Sequence, residues 1–278
     1  MANRYICRML SRQQIGEWIY RLGLTPVVEK VHRTMTQRKQ APDNAAFLSE
    51  HPDFKVPPAD ILYDAHGLDY RTYYTSGQAT AQEILSRIEP HRSQPLTSVL
   101  DWGCGPARVV QHLPDLLPSS EIHGCDYDPA TIDWCAPAFP SIQFKLNPLE
   151  ATLPYKSGTM DLVYGLSIFT HLSAARHEDW LRELARVTSD HGLLYLTFHG
   201  ANYREKLTTS ERAQYDAGQL VERARSEEGK RRFGSFHPPA AIRDLAAATG
   251  LAVQEHIVTP VPTDRSWFPQ DVWIFSKA

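Results

Sequence analysis

Apolar residues recur along this chain with two different periods. Between residues 97 and 198, short apolar runs bounded by turn residues alternate with stretches in which apolar positions return every three or four residues. Runs at 97–101, 121–125, 142–146, 160–165 and 192–198 have the length and boundaries of buried strands. The best-marked helix lies between the last two: Ser173 is placed to cap it, Leu181, Leu184 and Thr188 share a face, and Gly192 lies just beyond. This alternation predicts a parallel sheet with helices on both faces, and a ligand site at the carboxyl ends of its strands.

The flanks read differently. Residues 11–22 and 25–39 have helical patterning, with Pro26 near the start of the second helix. Residues 41–75 read as loop-rich and aromatic, and 78–89 as a helix leading into the first strand. Residues 1–75 therefore form a helical and loop-rich extension, and 76–278 the main domain. Residues 200–236 interrupt the pattern with polar and charged sequence of helix-forming composition at 209–232. An insertion there rises from the end of the fifth strand, where a substrate lid is built. Pro238 and Pro239 open a helix that Gly250 closes, with Ile242, Leu245 and Ala246 inward. The last runs, 251–258 and 271–276, predict an antiparallel hairpin at the sheet edge.

Composition narrows the class of protein. The chain has 278 residues, 42% hydrophobic and 22% charged, as in a soluble globular protein. No apolar run approaches the ~20 residues of a membrane helix. A net charge of −3 gives no general drive toward nucleic acid. The cysteines, Cys7, Cys104, Cys125 and Cys135, form no C-x-x-C pair, which points to a reducing, cytoplasmic setting without disulfides or a zinc site. Residues 1–40 hold eight Lys and Arg against Glu17 and Glu29, with Arg4, Arg8 and Arg12 at helical spacing. A helical arm with a solvated basic face is the preferred reading. A membrane-surface helix and a transit peptide are the others, although a signal-type apolar core and a small-residue cleavage site are both lacking.

The chemistry concentrates at Val99-Leu100-Asp101-Trp102-Gly103-Cys104-Gly105-Pro106-Ala107, where an apolar run ends in an acid and two glycines one residue apart. Glycines let a ligand press against backbone N–H groups. The Asp101 carboxylate would repel a pyrophosphate and attract an ammonium group, favouring S-adenosylmethionine over a dinucleotide. The rival dinucleotide fingerprint, G-x-G-x-x-G, needs a third glycine where Arg108 stands. Asp126 closes the second strand run and is placed to accept both ribose hydroxyls of an adenosine, or to form an Asx turn with Asp128-Pro129. Tyr127 follows and can lie against the adenine.

These residues, with Gly124-Cys125-Asp126-Tyr127-Asp128-Pro129, Asn147-Pro148-Leu149 through Tyr155, and Asp161 through Leu172, make residues 75–278 resemble the class I S-adenosylmethionine-dependent methyltransferases. Ser167-Ile168-Phe169-Thr170-His171-Leu172, Phe236-His237-Pro238-Pro239 and Gln270 to Phe275 are similar to a bacterial group that modifies glycans or secondary metabolites. The resemblance implies an α/β, Rossmann-like class I sheet, mostly parallel with an antiparallel C-terminal edge hairpin. It implies that Asp101, Gly103, Cys104 and Gly105 border the methionine part of S-adenosylmethionine, and that Asp126 holds the ribose and Tyr127 the adenine. Asn147 and Leu149 fall at the adenine edge, with Asn in place of the more usual Asp, and Leu166 and Ser167 beside the sulfonium. The product is S-adenosylhomocysteine. Asn147-Pro148-Leu149 precedes the fourth strand, whereas the Asn-Pro-Pro-Tyr signature of amino-group methyltransferases follows it, so DNA and release-factor methylation are disfavoured.

Methyl transfer from a sulfonium is an in-line displacement, and an acceptor hydroxyl or ammonium must also lose a proton. Three histidines fall near the expected ligand face: His171 and His199 as candidate bases, and His237 with Tyr73 and Tyr74 as candidate substrate contacts. Ordinary packing or helix capping is the competing role for each. Residues 165–172 contain no carboxylate, so no metal is expected. Arg204, Lys206, Arg223, Arg225, Lys230, Arg231 and Arg232 are cations that would suit an anionic acceptor or form a solvated helix face. The leading reading is O-methylation of a small molecule or glycan. N-methylation, an inactive methyltransferase-fold binding protein and a nicotinamide-dependent oxidoreductase are the alternatives.

Overall fold

A computed structural model describes residues 25–224, 228–229, 233–265 and 267–278. Helix α1 (Thr25–Glu50) is followed by α2 (Ala59–Ala65) and α3 (Tyr70–Ile88). The core then runs β1 (Ser98–Trp102), α4 (Leu113–Leu116), β2 (Glu121–Asp126), α5 (Pro129–Ala138), β3 (Gln143–Leu146), β4 (Met160–Gly165), α6 (Ala174–Val187) and β5 (Thr188–Phe198). Next come α7 (Thr209–Asp216), a hairpin of β6 (Val221–Ala224) and β7 (Phe233–Phe236), α8 (Pro239–Ala248), β8 (Leu251–Ile257) and β9 (Asp271–Lys277).

Seven strands form one sheet in the order β3-β2-β1-β4-β5-β9-β8. The pairs from β3 to β5 are parallel, and β9 is antiparallel to both its neighbours. The chain winds outward from β1 in one direction and from β4 in the other, so a crevice opens between the carboxyl ends of these two strands. The expected fold class is observed.

Strand β1 is buried throughout, and its alternation divides two core layers. Leu100 and Trp102 face a layer built with Val163, Leu194, Trp180 and Leu184 under α6. Val99 faces the other layer, with Ile84 and Ile88 of α3, Leu162 and Ile274. Burying a side chain such as Leu184 contributes about 2 kcal/mol.

Three expectations require correction. The 41–75 segment is largely helical: α1 continues to Glu50 despite Pro42, and α2 follows. Its aromatic residues, Phe54, Tyr63, Tyr70, Tyr73 and Tyr74, pack with Leu62 and Leu68. The helix expected at 78–89 begins at Tyr70, where the Asp69 carboxylate accepts from the Thr72 N–H as N-cap. Among the described residues of the 209–232 segment the helix ends at Asp216, after which Gly218, at φ +78°, turns the chain toward β6, which pairs with β7. The expected helices and basic residues before Thr25 lie outside the described residues. Within the described residues, no helix is long and apolar enough to cross a membrane.

Candidate active site

The glycine turn follows β1 directly. Gly103 has φ +75°, and a Cβ there would lie 2.1 Å from Cδ1 of Ile168. The turn is therefore specific for glycine in conformation and in space. The N–H groups of Gly103 and Cys104 donate to the Cys125 carbonyl, and the Gly105 N–H donates to Oδ2 of Asp126 at 2.9 Å. A 3-10 turn (Val110–His112) and the short α4 follow.

Asp126 ends β2 beside this turn. Its second oxygen accepts from the Asp128 N–H at 3.0 Å. Burial pushes its carboxyl up, and backbone donors from Asp128 and Gly105 work against that. Each oxygen keeps a further lone pair for a ligand hydroxyl. Asn147, after β3, is 5% exposed; its amide donates to the Pro148 carbonyl, and its Oδ1 is buried without a partner among the described residues. These residues line one crevice with Trp102, Tyr127, Leu149, Ile168, His171 and Trp180. Gly229, from the β6–β7 connection, closes over it: the Tyr127 hydroxyl donates to the Gly229 carbonyl at 3.1 Å, and the Gly229 N–H donates to the His171 carbonyl at 2.9 Å. The Glu228 carboxylate secures this cover, accepting from Ser173 N–H and Arg176 Nε at the start of α6.

Of the residues expected at the cofactor, Gly103, Asp126, Tyr127, Asn147 and Leu149 share this crevice with His171. Gly105 and Cys104 shape the turn beneath it. Asp101 points the other way, because strand alternation places it with Val99 on the α3 side. It is 3% exposed beside Arg108 and Tyr164, and burial pushes its carboxyl up to about 7 against their opposing pull. Leu166 packs against that same core layer.

Ser167 lies in a polar ring instead of on the crevice wall. Its N–H donates to Oγ1 of Thr197, Thr197 donates to Oε1 of Gln270, and Nε2 of Gln270 donates to Oγ of Ser167, at 2.8, 2.6 and 2.7 Å. Tyr73 is fully buried, with its hydroxyl on the Pro106 carbonyl, so it supports the glycine turn from below. Tyr74 packs among Phe47, His51, Phe54 and His112.

His171 Nδ1 is 3.1 Å from the Phe233 carbonyl, and His199 Nδ1 is 3.2 Å from the Ser235 carbonyl. A carbonyl only accepts, so both rings carry Nδ1–H and present Nε2 as the basic nitrogen. His199 stacks on Tyr203, and burial followed by repulsion from His171 lowers its pKa to about 3. His237 is fully buried against His177. Among the described residues, no group of three or more His, Cys, Asp or Glu could hold a metal.

Sequence reasoning missed Trp102, Ile168, Trp180 and Gly229 as crevice walls. Trp102 stood inside the glycine motif, whereas Gly229 had no local signal about 125 residues from it.

The sequence profile of a family described as "Methyltransferase domain" matches residues 99–192. Known structures share the fold. Magnesium protoporphyrin IX methyltransferase from Synechocystis PCC 6803, solved with bound S-adenosylhomocysteine, is 15% identical, covers 78% of this chain and 91% of its own, and has TM-score 0.54. A putative O-methyltransferase from Nostoc punctiforme PCC 73102 is 15% identical, with 79% and 60% covered and TM-score 0.55. The CcbJ methyltransferase from Streptomyces caelestis is 17% identical, with 73% and 90% covered and TM-score 0.50. Residues 99–192 are thus similar to a methyltransferase domain, and the whole sheet has the Rossmann-like fold of these structures. One of these structures holds S-adenosylhomocysteine, and the crevice described here fits S-adenosylmethionine: an acid for the ribose, a buried amide oxygen without a partner among the described residues for the adenine amino group, and a turn without Cβ atoms.

Proposed function

We propose that this protein transfers a methyl group from S-adenosylmethionine to a hydroxyl of a small-molecule or glycan acceptor. The observation that carries this reading is the meeting of the Gly103 turn, the Asp126 carboxylate and the unpartnered Asn147 Oδ1 in one crevice.

When bound, the cofactor supplies a methyl group activated by a cationic sulfur. Asp126 would orient the ribose, Asn147 the adenine edge, and Tyr127 with Leu149 the faces of the base. The Gly229 cover and the apolar walls exclude water from the displacement. His171 is the assigned general base: it lines the crevice, and its Phe233 hydrogen bond turns Nε2 into the proton acceptor. His171 would take up the proton of the acceptor hydroxyl during the transfer. His199 is not among the crevice walls, and its low pKa makes it a poor proton acceptor.

Calorimetric titration tests the reading. The protein is expected to bind S-adenosylmethionine and S-adenosylhomocysteine but not NAD. Asp126→Ala should weaken binding about 30-fold or more, as expected for loss of hydrogen bonds to a charged group worth ~2 kcal/mol. Binding of NAD in their place would overturn it.

A further inference from the structure

We propose, building on the methyltransferase reading, that the acceptor is an anion: a small molecule carrying a carboxylate that Lys206 receives, while the Ser167 hydroxyl donates a hydrogen bond to the acceptor. Gln270 is a positioning residue for that hydroxyl.

The first part rests on charge. The 3-10 helix after β5 (Ala201–Lys206) and the connection from β8 to β9 form one wall beyond His199. The Tyr203 hydroxyl donates to the Phe268 carbonyl, and the Asn202 amide donates to the carbonyls of Thr259 and Pro269. The arginines on or beside this wall are neutralised: Arg204 by Asp216, Arg223 by Glu211 and Arg265 by Glu205. Lys206 has no carboxylate among the described residues. Its ammonium lies 4.0 Å from the Phe268 ring centroid and 4.8 Å from that of Tyr203. Tyr203 in turn stacks on His199 at 4.0 Å. An exposed cation held on aromatic faces beside a candidate catalytic histidine is a receptor for an anion.

The second part rests on hydrogen accounting. Thr197 Oγ1 accepts from the Ser167 N–H and donates to Gln270, so its proton is spent. Gln270 Nε2 donates to Ser167 Oγ, which makes that oxygen an acceptor and leaves the Ser167 O–H proton with no partner among the described residues. Ser167 also has φ +65°, a conformation glycine adopts without strain. A side chain kept there at a cost of about 1–2 kcal/mol marks a hydroxyl needed in that place. Ile168, the next residue, lines the crevice. The contacts Ser167–Gln270, Gln270–Tyr203 and Tyr203–Lys206 join the two donors into one surface.

The test uses the full-length protein saturated with S-adenosylhomocysteine, titrated with 4-hydroxybenzoate and with uncharged 4-hydroxybenzamide. The acid should bind about fivefold more tightly, the upper range for an exposed charge pair. Lys206→Met should erase that preference and Lys206→Arg retain it. Ser167→Ala should weaken both probes while leaving S-adenosylhomocysteine affinity within twofold. Gln270→Glu keeps the shape of the ring but accepts the Ser167 proton, so it should reproduce the Ser167→Ala loss, which a merely structural role would not. Equal binding of the two probes, binding of neither, or a preference that survives Lys206→Met overturns the anionic acceptor. Unchanged binding in Gln270→Glu overturns the Ser167 donor. If the wild-type protein fails to bind S-adenosylhomocysteine, the methyltransferase reading itself falls.

Discussion

The Nε2 atoms of His177 and His237 lie 2.7 Å apart, and both side chains are fully buried. His177 Nδ1 faces the Ser173 carbonyl at 2.6 Å and must carry its proton there. In the neutral pair, His237 therefore donates from Nε2, and its buried Nδ1 is left without a partner among the described residues. The pair ties α6 to the segment entering α8 and has no room for a second charge.

Acid sensitivity follows. Burial lowers His177 to about 4 and His199 to about 3, and His237 falls well below its usual value through burial and its histidine neighbours. The unfolded chain takes up protons near pH 6.5 while the folded one refuses them. Stability is then full above pH 6.5 and falls as pH drops toward 4, by about 1.4 kcal/mol per pH unit for each histidine. Thermal melts from pH 7 to 4.5 should show this slope, and a His177→Leu/His237→Phe double variant should flatten it.

Asp101 gives the opposite sign. Its folded value near 7 lies above the ordinary 3.8, so without ligand its contribution to stability is lost as pH rises from 4 to 7. Asp101→Asn has no proton to lose there, so its thermal melts should lack this fall between pH 4 and 7; an unchanged pH slope would remove Asp101 as its cause.

Gly103→Ala should cost about 1–2 kcal/mol from its left-handed backbone alone. The added Cβ also meets Ile168 Cδ1, which belongs to a crevice wall. Melting temperature and S-adenosylhomocysteine affinity should both fall. Adding Ile168→Val, which removes Cδ1, should recover part of the affinity but not the backbone strain.

His171→Ala should leave cofactor affinity near normal while slowing methyl transfer by ~10²–10⁴, the range for losing a general base. His199→Ala should have the smaller effect on rate. Turnover like the parent in both variants would remove histidine from the proton step.

The core strands were legible because each is an apolar run ended by a turn residue, and the glycine turn because its spacing is local. Asp126, Asn147 and Leu149 were readable as the residues following consecutive strands. Asp101 misled because the motif places it at the ligand, whereas strand alternation turns it toward α3. The β6–β7 hairpin was hidden by charged residues of helical propensity; its docking rests on Glu222 and Glu228 reaching the N-terminus of α6. The Ser167–Thr197–Gln270 ring joins positions up to 103 residues apart, so no window along the chain displays it.

Because β9 runs against its neighbours, Asp271 and Gln270 arrive at the tips of β4 and β5 from the far end of the polypeptide. The responsibilities of the chain are thereby segregated: residues 99–180 supply the donor crevice except for Gly229, and residues 199–271 most of the opposite wall. Chimeras exchanging only the later block between proteins of this architecture should inherit the selectivity of that block while retaining the donor site of the first.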